Sequence, residues 1–169
     1  MRRTSSPTTF EGKASFAVWP ETKERVDLEL GQMQRMLSEH QSLLNSASSG
    51  EPGSSEILAL AALLHSFYGG VENILKRIAA EIDNEVPNGS RWHSDLLVQV
   101  GRKSSNRPAL LSESLVGRLA EYLNFRHVFR HAYSFELDWA KMRSLVVHCE
   151  ETLKWLDREL HEFFEVAGQ

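Results

Sequence analysis

Residues 54–82, SSEILALAALLHSFYGGVENILKRIAAEI, decide the fold class of this chain. Their apolar side chains recur every three or four positions, which is the period of an α-helix and not of a β-strand. These positions are Leu58, Ala61, Leu64, Tyr68, Val71, Leu75, Ile78 and Ile82. Ser54 or Ser55 is expected to cap the first turn, and the Pro-Asn-Gly sequence at 87–89 to end the segment. We therefore predict a long amphipathic helix that buries one face in a core.

Three further segments show the same period. Apolar residues from Val26 to Leu44 predict a helix that begins at Glu21 and ends before a loop at 46–53. A third helix is expected to open at Ser112 and to run into the Arg- and His-rich stretch near Ser134, and a fourth to cover about 138–165. Residues 92–100 predict a short extra helix before a polar loop at 101–108. Without any alternating pattern, these segments predict an all-α, up-and-down four-helix bundle.

Length and composition predict one globular domain. The chain has 169 residues, 41% hydrophobic and 25% charged. We expect residues 1–20, rich in Ser, Thr and Pro, to form a partly mobile N-terminal extension and residues 21–169 to form the domain. Without a signal-peptide pattern or an apolar run of membrane length, we expect a cytoplasmic protein that makes no membrane contact. The lone Cys149, among apolar neighbours, is interpreted as a structural residue.

The net charge of −4 is not typical of a nucleic-acid-binding protein, but the charge is unevenly distributed. Residues 99–133 contain six basic and two acidic side chains, whereas residues 134–169 contain four basic and eight acidic ones. Such a run can simply be a solvated helix face. It is also consistent with a polyanionic ligand bound along the basic segment.

The basic segment ends in the densest chemical motif of the chain, RHVFRHAY at 126–133. On a helix, one stripe would hold Arg126, Arg130 and Tyr133, and the adjacent stripe His127 and His131. Guanidinium groups beside imidazoles can grip a phosphate and move one proton near neutral pH. Cleavage of RNA needs a base, an acid and cationic support, so two copies of the motif facing each other are expected to be required.

The motif resembles the signature of the HEPN ribonucleases, an Arg followed by a polar residue, three variable positions and a His. Tyr133 brings it closer to the HepT-like toxins, whose pattern is Arg, four residues, His, one residue, Tyr. The resemblance implies a helical bundle that forms a homodimer and cuts RNA, not DNA, without a metal or other cofactor, leaving a cyclic phosphate.

The resemblance also implies a role for each motif residue. His131 would be the acid–base group, Arg126 the clamp for the phosphate and the transition state, and His127 the polar support; Arg130 lies outside the signature as an accessory cation. In HepT-like toxins a separate nucleotidyltransferase antitoxin blocks activity by attaching AMP to the motif tyrosine, here Tyr133.

Other interpretations of the same residues stay open. His127 and His131 could ligate a metal, although the spacing implies no third ligand, and Tyr133 could be an ordinary residue at the rim of the bundle. The chain could also be a non-catalytic HEPN dimer that binds nucleotide or a nucleotidyltransferase, or a plain helical interaction module. The four scattered histidines His65, His93, His148 and His161 are expected to be surface or core residues.

Overall fold

The computed structural model describes residues 19–105, 107–133 and 136–167. These ranges are helical and contain no strand, which confirms the all-α prediction. In chain order the helices are α1 (Trp19–Glu39), α2 (Gln41–Ser49), α3 (Ser54–Ile78), α4 (Trp92–Val100), α5 (Glu113–Phe129) and α6 (Trp139–Ala167). The predicted N-terminal extension lies outside the described residues apart from Trp19 and Pro20, which begin α1.

Helix α3 is the central element of the bundle. It contacts α1, α4, α5 and α6, and such a helix must be apolar on most of its surface. Its fully buried large side chains are Leu60, Leu64, Phe67, Tyr68, Ile74, Leu75 and Ile78. The approach of α1 is close, because a Cβ atom at Gly70 would lie 2.7 Å from the Met33 side chain. The glycine therefore permits the packing of α1 on α3.

The stretch Ser54–Asp83 is also long and apolar enough to cross a membrane, judged by length and composition alone. In this fold 56% of its most apolar window is buried inside the protein. Contacts with the neighbouring helices therefore cover more than half of this window.

The N-terminal helical region differs from the sequence prediction. The predicted single helix is divided at His40 into α1 and α2, and the predicted loop at 46–53 is wrong for residues 46–49, which belong to α2. Burial explains the difference, because Leu44 and Ala47 are buried and α2 packs on α6. Two α2 serines also donate hydrogen bonds to carbonyls one turn earlier in the helix.

Helix α3 continues into a π-helical turn, Ala79–Asp83, which ends at Asn84 in the left-handed conformation (φ 55°). This turn places Asp83 against Arg107, with Nε–Oδ1 and Nη2–Oδ2 distances of 2.7 and 2.8 Å. Arg107 also donates to the carbonyls of Gln99, Arg102 and Pro108. The predicted loop at 101–108 is therefore anchored to the end of α3, which holds α4 beside α3.

Helix α5 starts where the sequence predicts. The Ser112 hydroxyl accepts a hydrogen bond from the Leu115 amide, as an N-cap does. Glu159 of α6 accepts from the Ser112 amide and hydroxyl, at 2.8 and 2.7 Å. These bonds fix the start of α5 against α6, and the opposite end of α5 carries the motif.

Candidate functional site

Helix α5 ends inside the motif. Its last residue is Phe129, and the amides of His131 and Ala132 both donate to the Val128 carbonyl. The Tyr133 amide donates to the Glu136 carboxylate at 2.7 Å, which replaces the bond that would continue the helix. The predicted helical stripes are therefore wrong for Tyr133 and His131, which lie in the turn after α5.

Arg126 points into the protein and meets a carboxylate and an imidazole from two other helices. Its Nη2 lies 3.3 Å from Oε2 of Glu72 on α3. Oε1 of Glu72 accepts a hydrogen bond from Nδ1 of His93 on α4, so Nδ1 carries the ring hydrogen. Glu72 and His93 are 4% and 8% exposed. We call Glu72, His93 and Arg126 the buried polar cluster.

The imidazole of His93 is held from several sides. The Trp92 ring stacks on it with centroids 3.6 Å apart, and the Lys76 ammonium lies 4.1 Å from the centroid of Trp92. The ring of His127 meets His93 edge-on at 5.7 Å. Arg126 Nη1 lies 3.4 and 3.5 Å from Nδ1 and Nε2 of His93, nearly equidistant from the two ring nitrogens. The guanidinium therefore lies against this ring.

Two other imidazoles border the buried polar cluster. The His65 ring on α3 lies 5.3 Å from the Phe129 ring. Burial lowers the pKa of His65, and the positive charges of Arg126 and Arg130 lower it further. Burial also lowers the pKa of His127, with added effects of His93 and both arginines. Both imidazoles are accordingly neutral at pH 7 and can accept a proton.

The lowered pKa values predict a pH dependence of stability. The pKa of His65 is lower in the folded protein than the ordinary value of 6.5. Above about pH 6.5 this histidine therefore does not reduce the free energy of unfolding. Stability is lost as the pH falls below that value, because the unfolded chain binds the proton more tightly. We expect urea unfolding to show a lower free energy of unfolding at about pH 5.5 than at about pH 7.5. His65→Leu should reduce that difference, and His40→Leu, at an exposed position, should leave it unchanged.

Three of the remaining motif residues face solvent. Arg130 and His131 are exposed, and Tyr133 is 70% exposed. In the described part of the chain, no hydrogen bond or ion pair joins His131 to Arg126. The structure thus brings Arg126 and His127 together with Glu72 and His93, and leaves His131 and Tyr133 on an outer turn.

Glu72 and His93 were missed as site residues by sequence reasoning. The signal for Glu72 was a carboxylate four residues after Tyr68, on the apolar face of the most buried helix, where an unpaired charge is costly. His93 was expected to be a surface or core residue, and nothing in the local sequence connects it with the motif. Only the packing of α4 between α3 and α5 brings it there.

The described residues contain no group of three or more His, Cys, Asp and Glu side chains arranged to hold a metal ion. Among these residues, no third protein ligand is therefore found that could bind a metal together with His127 and His131. Cys149 is fully buried, and burial raises the pKa of its thiol to about 12, which agrees with a structural role.

Comparison with known proteins identifies the family. A family model described as HepT-like protein matches residues 59–167. This region includes most of α3 and all of α4, α5 and α6, and so contains the motif and the buried polar cluster. No curated protein and no solved structure matches the chain. Because the family model covers more than half of the chain, this protein belongs to the HepT-like family of the HEPN superfamily.

Proposed function

We propose that this protein is a metal-independent endoribonuclease toxin of a toxin–antitoxin or defence system, acting in the cytoplasm as a homodimer. One observation carries the proposal: a HepT-like chain has the complete Arg-x4-His-x-Tyr pattern at the exposed end of α5. There Arg126 is anchored from within, while His131 and Tyr133 are accessible.

In the proposed reaction, His131 of one chain takes the proton from a ribose 2′-hydroxyl, whose oxygen attacks the adjacent phosphorus atom. The bond from phosphorus to the 5′-oxygen breaks, and that oxygen receives a proton from His131 of the second chain. Arg126 stabilises the negative charge that develops on the phosphoryl oxygens, with His127 as support. The products are a 2′,3′-cyclic phosphate and a 5′-hydroxyl end.

The dimer is part of the proposal because the reaction needs a base and an acid, and one chain supplies a single His131. Apolar surface next to the motif supports an interface there. Val128 is 61% exposed, and it lines a groove between α5 and α6 together with the half-buried Phe125 and Leu137. A second copy covering this surface would bring two motifs together.

We further propose that a nucleotidyltransferase antitoxin inactivates the toxin by attaching AMP to Tyr133. The exposure of the Tyr133 side chain supports this, because a transferase must reach the phenol oxygen. The attached phosphate would occupy the cleft that binds RNA and would compete for the same arginines. Co-expression with a nucleotidyltransferase encoded beside this gene should add AMP masses at Tyr133 in a peptide map. An unmodified Tyr133 peptide from fully neutralised cells would exclude this mechanism.

Expression in a bacterial host tests the toxin activity. The parent is expected to arrest growth, and His131→Ala to abolish the arrest because the proposed acid–base group is removed. His40→Ala, a substitution at an exposed histidine outside the motif, is the matched control and should be as inhibitory as the parent. Equal growth arrest by the parent and His131→Ala, at equal protein levels, would contradict the proposal.

A second candidate is the non-catalytic HEPN dimer that binds nucleotide or a nucleotidyltransferase. The observation that favours it is the internal pairing of Arg126 with Glu72 and His93, which is also what a purely structural network would show. Under this candidate the purified protein binds its partner equally well with and without His131, and does not cut RNA.

A further inference from the structure

We propose that Glu72 and His93 are positioning residues for Arg126, so that the reactive part of the site extends over α3, α4 and α5. The inference rests on the proposed ribonuclease function and adds to it two residues outside the motif. It follows from the way in which the buried polar cluster shares one carboxylate between two partners.

Because His93 and Arg126 share the Glu72 carboxylate, the positive charge of Arg126 is only partly neutralised. A carboxylate that faces an arginine alone can accept two parallel hydrogen bonds and engage most of the fork. Here Oε1 accepts from His93, and Oε2 lies 3.3 Å from Nη2 of Arg126. The Nε atom of Arg126 is buried, but 15% of the side chain is exposed, which leaves part of it available for a phosphate.

The ring of His93 sets the direction of the guanidinium. Arg126 Nη1 contacts both ring nitrogens, and the ring itself is fixed by the stack on Trp92, the edge of His127 and the bond to Glu72. An arginine side chain has many rotamers in solution, and each rotation would move its N–H groups away from a bound phosphate. Fixing one rotamer in advance removes that loss from the binding and reaction steps.

The two contacts make different contributions. Glu72 supplies the negative charge that allows a guanidinium to remain largely buried beside α3. His93 supplies a donor to Glu72 and a flat surface for Arg126. Loss of either group should therefore leave the charge of Arg126 in place but change where that charge lies.

Four substitutions test the proposal through RNA cleavage by the purified full-length protein. Glu72→Gln and His93→Phe are expected to lower kcat on the order of 10²-fold with little change in KM, as a misplaced catalytic group does. His93→Asn keeps an N–H near the position of Nδ1 and should restore most of the rate. Glu81→Gln removes a glutamate that is also paired with arginines, Arg25 and Arg77, outside the cluster, and should match the parent.

A double variant tests whether His93 acts through Arg126. In an Arg126→Ala background, adding His93→Phe should lower the cleavage rate no further, because its effect is exerted through the missing guanidinium. A full additional loss in that background would overturn the proposal, as would parental activity of a folded His93→Phe variant. If Glu72→Gln unfolds at the assay temperature, the pair His93→Phe and His93→Asn decides the question.

Nitrogen-15 NMR of the guanidinium groups separates this proposal from the function on which it rests. Restricted rotation of the Arg126 guanidinium in the parent, lost in His93→Phe and retained in His93→Asn, supports positioning even if the parent cuts no RNA. Free rotation in the parent overturns positioning even if the ribonuclease activity is confirmed.

Discussion

Arg126→Ala is expected to lower the rate of RNA cleavage by about 10²–10³-fold, the usual effect of removing one group that stabilises transition-state charge. Arg126 is expected to have this effect because it is held by an ion pair with the buried Glu72 and is still partly exposed at the motif. Cleavage of a fluorescent RNA under single-turnover conditions measures the effect. Circular dichroism should show that the variant remains helical.

Two matched variants make the Arg126 result specific. Arg126→Lys keeps the charge but loses the planar fork and the surface that lies on His93, so we expect it to recover little of the rate. Arg130→Ala removes an exposed arginine that lies outside the signature and should lower the rate by less than about tenfold. A rate within about threefold of the parent for Arg126→Ala would contradict its assigned role.

Arg107→Met is expected to lower the free energy of unfolding by about 3–5 kcal/mol, because it leaves the buried Asp83 carboxylate without its cation. The Arg107 side chain is fully buried and the Asp83 side chain is 4% exposed. Arg107 also donates to the backbone carbonyl of Gln99 in α4 and to those of Arg102 and Pro108 in the loop that follows it. Urea unfolding followed by circular dichroism measures the loss.

The double variant Arg107→Met with Asp83→Asn should recover part of the stability, since it removes the unpaired charge as well. Arg35→Met breaks an exposed ion pair with Glu39 and should leave the stability nearly unchanged. A decrease below about 1 kcal/mol for Arg107→Met would show that the ion pair does not anchor the loop.

Local patterns predicted most of the fold. The period of residues 54–82, the cap at Ser112 and the short helix at 92–100 depend on neighbours in the chain, and all three agree with the structure. The error at 46–49 arose because polar serines resemble a loop, whereas burial of Ala47 keeps them helical. Such burial depends on the packing of α2 against α6, which no local pattern contains.

The candidate site, like the fold, has a part that is visible in the local sequence and a part that depends on helix packing. Arg126 and His127 belong to one short motif, and the sequence points to them as candidates through its cluster of arginines and histidines and its resemblance to the HEPN signature. Their partners Glu72 and His93 lie on other helices, and only the arrangement of the bundle reveals them. The end of α5 before Tyr133 could not be predicted from the sequence either, since it depends on a hydrogen bond from the Tyr133 amide to Glu136.

Analysis of RNA ends in the presence of a chelator tests the central claim most directly. Purified protein is incubated with a defined RNA and excess EDTA, and the products are identified by mass spectrometry. We predict cleavage to fragments with 2′,3′-cyclic phosphate and 5′-hydroxyl ends by the parent, and intact RNA with His131→Ala. Cleavage that EDTA abolishes, or equal cleavage by the parent and His131→Ala, would contradict the account.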